Sequence, residues 1–147
     1  MRAVRLPGAI LADSFRVLRE CGDGRAECVL YWCAAQDRPD VVTRLVHPVH
    51  RAGPGWYEVD SSWVTRFFLD LRQAQETARG QVHTHPFEAG HSGIDDAFAL
   101  VPAPGFLSLV IPQYAAGPAR LADTVLVQMD INGAWAPLPP EEAIVVE

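Results

Sequence analysis

"HTHPFEAGHSGIDD", residues 83–96, is the stretch on which the fold and chemistry of this chain turn. The chain has five histidines, and His83, His85 and His91 fall inside this window. The residues "QVHTH" read as a strand. Side chains two apart on a strand face the same way, so His83 and His85 project their imidazoles together while Thr84 points away. Pro86 has no amide to donate and turns the chain out of the sheet. A short helix is expected from about Ile94 to Leu100, and its start near Asp95 can return a carboxylate towards the two rings. Two imidazoles and one carboxylate leave a fourth tetrahedral position open for water, which is the arrangement of a catalytic rather than a structural zinc. The same residues also suit a hydrogen-bonded sheet end whose aspartates cap the next helix.

Working outward, the pattern is mixed α and β. Leu11, Phe15 and Leu18 follow helical spacing from Ile10 to Arg19, and "GDG" at 22–24 stops that helix. "AECVLYWCAA" is rich in β-formers and predicts a buried strand from near Glu27. "VVTRLVHPVH" suggests a second strand, with Pro48 marking an edge or a strand end. A short strand "WYEVD" leads into a helix from roughly Ser62 to Thr77, with Asp60 or Ser61 as the N-cap and Gly80 as the stop. Val64, Phe67, Phe68 and Leu71 lie on one face of it. "FLSLVIP" and "TVLVQMDI" predict two further strands, and "NGAW" marks a hairpin if pairing continues through Trp135. The fold class expected is α/β, a single domain spanning residues 1–147 with a mixed, curved sheet flanked by helices.

Composition narrows the function. Hydrophobic residues are 49% of the chain, charged residues 20%, and the net charge is −6. An acidic chain without basic runs argues against a nucleic-acid partner, since phosphate binding needs clustered Lys and Arg. No apolar run approaches a membrane span, and the N-terminus reads as structure rather than a signal peptide. Cys21, Cys28 and Cys33 are odd in number and lack CxxC spacing, so a reduced, cytoplasmic setting is expected, with Cys28 and Cys33 as small core residues. His47 and His50 are expected to face oppositely on a strand and to form no site.

The residue order His83-Thr84-His85-Pro86, then Ser92-Gly93-Ile94-Asp95, resembles the JAMM motif of the JAB/MPN metalloprotease family: His-x-His-Pro, a spacer, then Ser-x-x-Asp. The family also carries a glutamate far upstream, at the start of a core strand after the first helix, and "RAECVLYW" offers Glu27 there. The resemblance covers most of the chain. It departs in the spacer, where six residues rather than seven separate the second histidine from the serine. The Ser-x-x-Asp step favours Asp95 as ligand, and a shifted register would use Asp96.

The resemblance implies zinc held by His83, His85 and Asp95. Glu27 would serve as general base, and Ser92 as donor to the oxyanion, where it would also suit a helix N-cap. His91 lies beside Ser92 within reach of substrate, although a loop histidine is ordinarily solvated. The implied activity is that of an isopeptidase or peptidase cutting after the C-terminal tail of a ubiquitin-like or sulfur-carrier protein, with E1- or E2-like proteins as further partners. The alternative within the family is an inactive scaffold, which usually loses motif residues that are all present here. A barrel amidohydrolase needs a longer chain, and a cupin-like jelly roll leaves no place for the two long helices.

Overall fold

The computed structural model describes residues 3–88 and 99–147. Its centre is a six-stranded mixed sheet built on the apolar runs of the sequence. In chain order the elements are β1 (Val4–Leu6), α1 (Gly8–Gly22), β2 (Val29–Ala35), β3 (Val42–Val46), β4 (His50–Gly53), β5 (Trp56–Val59) and α2 (Ser61–Ala74). They continue with β6 (Glu76–Thr84), β7 (Leu107–Ile111), β8 (Val125–Met129), β9 (Trp135–Leu138), α3 (Pro140–Ala143) and β10 (Ile144–Val146). The strand order is β3-β2-β6-β7-β8-β9, antiparallel throughout except for the parallel β6–β7 pair. The expected α/β class is the class observed.

Both faces of the central strands are covered, and this is why β2 and β7 are nearly continuous apolar runs rather than alternating ones. Leu11, Phe15 and Leu18 of α1 pack with Leu30, Trp32, Val82 and Leu109 on one face. Phe67 and Leu71 of α2 pack with Val29, Tyr31, Cys33 and Ala78 on the other. A buried hydrogen-bond chain fastens α1 to the sheet. The Trp32 indole donates to Ser14 Oγ at 3.0 Å, and Ser14 donates to the Ile10 carbonyl at 2.7 Å.

The expected boundaries shift in instructive ways. Helix α1 extends beyond Ile10–Arg19 in both directions and ends at Asp23, which takes the left-handed conformation at φ 50°. Asp60 caps α2 as expected, accepting from the Trp63 amide at 2.9 Å. That helix stops at Ala74 rather than Thr77, because Gln75 at φ 55° turns the chain directly into β6. Gly80 therefore lies within a strand and is no helix stop. A Cβ there would stand 3.1 Å from Leu107 Cβ, so glycine lets β6 and β7 approach closely.

The hairpin after β8 does pair through Trp135, opposite Met129. Its turn is held by Asp130, whose carboxylate accepts the amides of Asn132 and Ala134. Strands β1, β4 and β10 were not anticipated. Ala99 and Leu100 are irregular, and the rest of the helix expected at Ile94–Leu100 lies outside the described residues. No helix among the described residues is long and apolar enough to cross a membrane.

The Ser14–Trp32 link gives a direct test of how α1 is fixed. Ser14→Ala strands the buried indole N–H and should cost about 1–3 kcal/mol in chemical denaturation. Adding Trp32→Phe to that variant should cost less than the sum of the two single changes, because the orphaned donor disappears with its partner.

Candidate active site

The pairing of β2 with β6 assembles the site. Val29 stands opposite His83, and the antiparallel register continued outward sets Glu27 opposite His85. Directly opposed residues share a face, so Glu27, Val29, His83 and His85 all lie on the side of the sheet that carries α2. The clasp between the strand ends is reciprocal. Thr84 N donates to the Cys28 carbonyl at 3.1 Å, and Cys28 N donates to Thr84 Oγ1 at 3.0 Å. His85 then continues the ladder to β7, its amide donating to the Ile111 carbonyl at 2.9 Å. Glu27 lies just ahead of β2 and is held by its own amide, which donates to the Gly53 carbonyl at the tip of β4.

The two imidazoles face each other with their Nε2 atoms 3.3 Å apart. Two nitrogens bound to one tetrahedral zinc at 2.0–2.1 Å stand about 3.3 Å apart, so the separation suits a shared ion. His83 is fully buried, and its Nδ1 has no hydrogen-bond partner among the described residues. Burial, with the neighbouring His85 adding to it, pushes the His83 imidazole down to about 3. It is therefore neutral at physiological pH, the form in which imidazole binds metal. Burial pushes the Glu27 carboxyl the other way, up to about 7.

Tyr57 of β5 joins these groups and was missed in the sequence. Its ring packs against His83 at 5.4 Å between centroids. Burial holds its phenol well above the usual range, and Tyr31 and the Glu27 carboxylate add to that effect. Nothing local in "WYEVD" signals this role, because it depends on the β4–β5 ribbon folding back over the sheet. On the other side of His85 the chain makes a left-handed turn. Gln113, Tyr114 and Ala115 all have positive φ, and Tyr114 N donates to the His85 carbonyl at 2.9 Å. Three consecutive non-glycine residues in this region carry backbone strain, a feature that gathers around functional sites.

Thus the structure brings His83 and His85 together, and the β2–β6 register carried outward sets Glu27 on their side of the sheet. Ser92, Asp95, Asp96 and His91 lie outside the described residues. Two expectations about the remaining Cys and His residues are corrected. Cys28 is not simply a small core residue, since it is joined to Cys21 in a disulfide, and Cys33 alone is free and buried. His47 and His50 do not face apart. Residues 47–49 lie between strands, so strand alternation does not govern them, and the two rings stand 5.3 Å apart.

With this geometry in hand, the comparisons with known proteins are specific. No family model matches the chain. A curated relative, the probable metalloprotease y4jG of Sinorhizobium fredii, is 29% identical over 144 residues, spanning 95% of this chain and 89% of its own length. Among solved structures, protein DSY2949 from Desulfitobacterium hafniense superposes with a TM-score of 0.66 at 15% identity, over 98% of this chain and 92% of its own. The JAB1/MPN domain protein AF2198 from Archaeoglobus fulgidus superposes with a TM-score of 0.50 at 11% identity, over 99% of this chain and 100% of its own. The chain thus shares the fold of a JAB1/MPN domain protein and is similar in sequence to a probable metalloprotease. Its Glu27, His83 and His85 occupy the positions at which the JAB/MPN motif was read in the sequence.

The raised Glu27 carboxyl makes a prediction for the metal-free protein. Between its ordinary value and about 7 the folded state binds the proton more tightly than the unfolded state, so stability falls as pH rises through that window. Glu27→Gln removes this dependence. Urea denaturation after chelation should find the variant gaining on the wild type between pH 5 and pH 8, by on the order of 1–3 kcal/mol. Parallel curves at the two pH values would mean that Glu27 is not held in a desolvated site.

Proposed function

We propose that this chain is a zinc-dependent peptidase that cuts the amide bond following the extended C-terminal tail of a ubiquitin-like or sulfur-carrier protein. The observation that carries this reading is the pair of converging imidazole Nε2 atoms, 3.3 Å apart, one ring buried and neutral, on the sheet face that also holds Glu27. The curated relative named as a probable metalloprotease supports it.

His83 and His85 would hold the zinc through Nε2, with Asp95 as the third ligand and the fourth position left to solvent. Bound there, the metal would supply Lewis acidity for a scissile carbonyl and would favour ionisation of water. Glu27 takes the proton of the attacking water on its carboxylate and delivers it to the leaving amine. A proton affinity near neutrality suits both transfers. Ser92 donates to the oxyanion. Tyr57 covers His83 on its apolar side and keeps the ring neutral and fixed. The β4–β5 ribbon pairs with no other strand among the described residues, so an extended tail can add to its edge beside Tyr57. We place the chain in the cytoplasm, alongside E1- and E2-like proteins that attach what it removes.

Metal content and single-turnover cleavage of a ubiquitin-like protein carrying a C-terminal extension test this on the same preparations. His83→Ala or His85→Ala should remove the zinc of this centre together with cleavage. Glu27→Gln should keep that zinc and lower cleavage at least about 100-fold, since an amide cannot accept the proton. Asp95→Ala should release the ion, whereas Asp96→Ala should leave it bound. Near-normal cleavage by Glu27→Gln would remove Glu27 from the mechanism. A folded wild type whose His83–His85 centre takes up no zinc on reconstitution would defeat the proposal.

A further inference from the structure

A second group of metal-binding side chains stands at the other end of Glu27's peptide, on the opposite face of the sheet. Cys21 ends α1, Cys28 precedes β2, His47 follows β3 and His50 opens β4. Their donor atoms, two sulfurs and two ring nitrogens, all lie within 4.8 Å of one another. Each sulfur faces a nitrogen: Cys21 Sγ is 3.4 Å from His50 Nε2, and Cys28 Sγ is 3.2 Å from His47 Nε2.

The chemistry of the His50 contact is informative. Its Nδ1 lies 3.0 Å from the Pro48 carbonyl. A carbonyl only accepts, so Nδ1 carries a proton, and in the tautomer that this contact selects Nε2 presents a lone pair. That lone pair is aimed at a sulfur which, in a disulfide, has no proton to offer. Two electron-rich atoms face each other, and something electrophilic belongs between them. Fixing one nitrogen of a histidine by a backbone carbonyl while the other meets the metal is the usual support of a ligating imidazole.

We infer that Cys21, Cys28, His47 and His50 form a structural zinc site in the reduced protein, and that the Cys21–Cys28 disulfide is its oxidised, metal-free state. Two thiolates and two imidazoles with every position filled by protein is a closed tetrahedral set, which selects zinc and leaves no place for substrate. Sulfur and nitrogen on one zinc stand about 3.6 Å apart, within a few tenths of an ångström of the two contacts observed. The ion would tie the end of α1, the start of β2, the β3–β4 connection and β4 to one point. Glu27 is bonded to this assembly twice, through its peptide to Cys28 and through its amide to Gly53 of β4.

The two states interconvert by a balanced step. The two thiolates together give two electrons to hydrogen peroxide. The sulfur–sulfur bond forms as the oxygen–oxygen bond breaks, two protons complete two waters, and Zn2+ departs. A dithiol reductant reverses the sulfur chemistry, and in a reducing compartment the thiolate form prevails.

Cobalt loading of the reduced, full-length protein tests the site independently of peptidase activity. A thiolate-to-cobalt charge-transfer band in the near ultraviolet can come only from a sulfur ligand, so the His83–His85 centre contributes nothing to it. The band is expected in the wild type and in His83→Ala, and is expected to vanish in Cys21→Ser and in His50→Ala. His50→Cys restores a ligand and should restore the band, which separates ligation from packing. Adding peroxide to the zinc form should release one zinc for each Cys21–Cys28 disulfide found by non-reducing peptide mapping. Reduced wild type that binds cobalt without the band, or a disulfide that forms with no zinc released, would overturn the inference.

Discussion

The reciprocal clasp between Cys28 and Thr84 fixes everything that follows in this molecule. Two hydrogen bonds at 3.0 and 3.1 Å set the ends of β2 and β6 in one register. Side chains alternate along a strand, so a slip of one residue would send His83 to the α1 face and remove it from Glu27. The buried apolar faces on both sides enforce the same register. Trp32 and Val82 belong against α1, while Tyr31 and Cys33 belong against α2, and exchanging them would bring both cores out of fit. The face that carries the histidine pair is therefore specified by core packing several residues away.

Within that face the site resists charge of either sign. Burial raises Glu27 to about 7 and lowers His83 to about 3, so neither group is stabilised in its ionised form by the protein around it. A carboxylate and an imidazole brought to one face of a sheet would ordinarily be expected to share a proton as an ion pair. Here the low affinity of His83 for a proton works against that outcome, and the lone pair of the ring stays available. A divalent cation would suit such a face, since it would bind the neutral imidazole directly and favour the ionised carboxylate by its charge.

Local periodicity made part of this legible. The apolar runs of β2, β7 and β8 and the helical spacing of Leu11, Phe15 and Leu18 stand out without tertiary information. The two-residue step between His83 and His85 is likewise local, and it correctly put both rings on one face. What failed was decided by contacts distant in sequence. Strands β1 and β10 are three residues each and become strands only by pairing across 140 positions. The end of α2 depends on Gln75 adopting a left-handed conformation that its residue type does not advertise. Glu27 was singled out through a family pattern and not through its neighbours, and Tyr57 gave no signal because its contact with His83 arises from the fold of a ribbon. His47 and His50 were misread because strand alternation was extended across Pro48, where the chain is not a strand.

Glu27 and Cys28 sit side by side on one peptide just ahead of β2. The β2–β6 register carried outward sets Glu27 opposite His85, on the face of the histidine pair, while Cys28 packs in the core beneath α1 and is bonded to Cys21. The backbone between them is short and is pinned by Thr84 on one strand and by Gly53 on β4. A displacement of the Cys28 α-carbon therefore cannot be absorbed by a flexible stretch before it reaches Glu27. At the start of β2 the Cys21–Cys28 disulfide and the Glu27 carboxylate are thus tied to the same few backbone atoms.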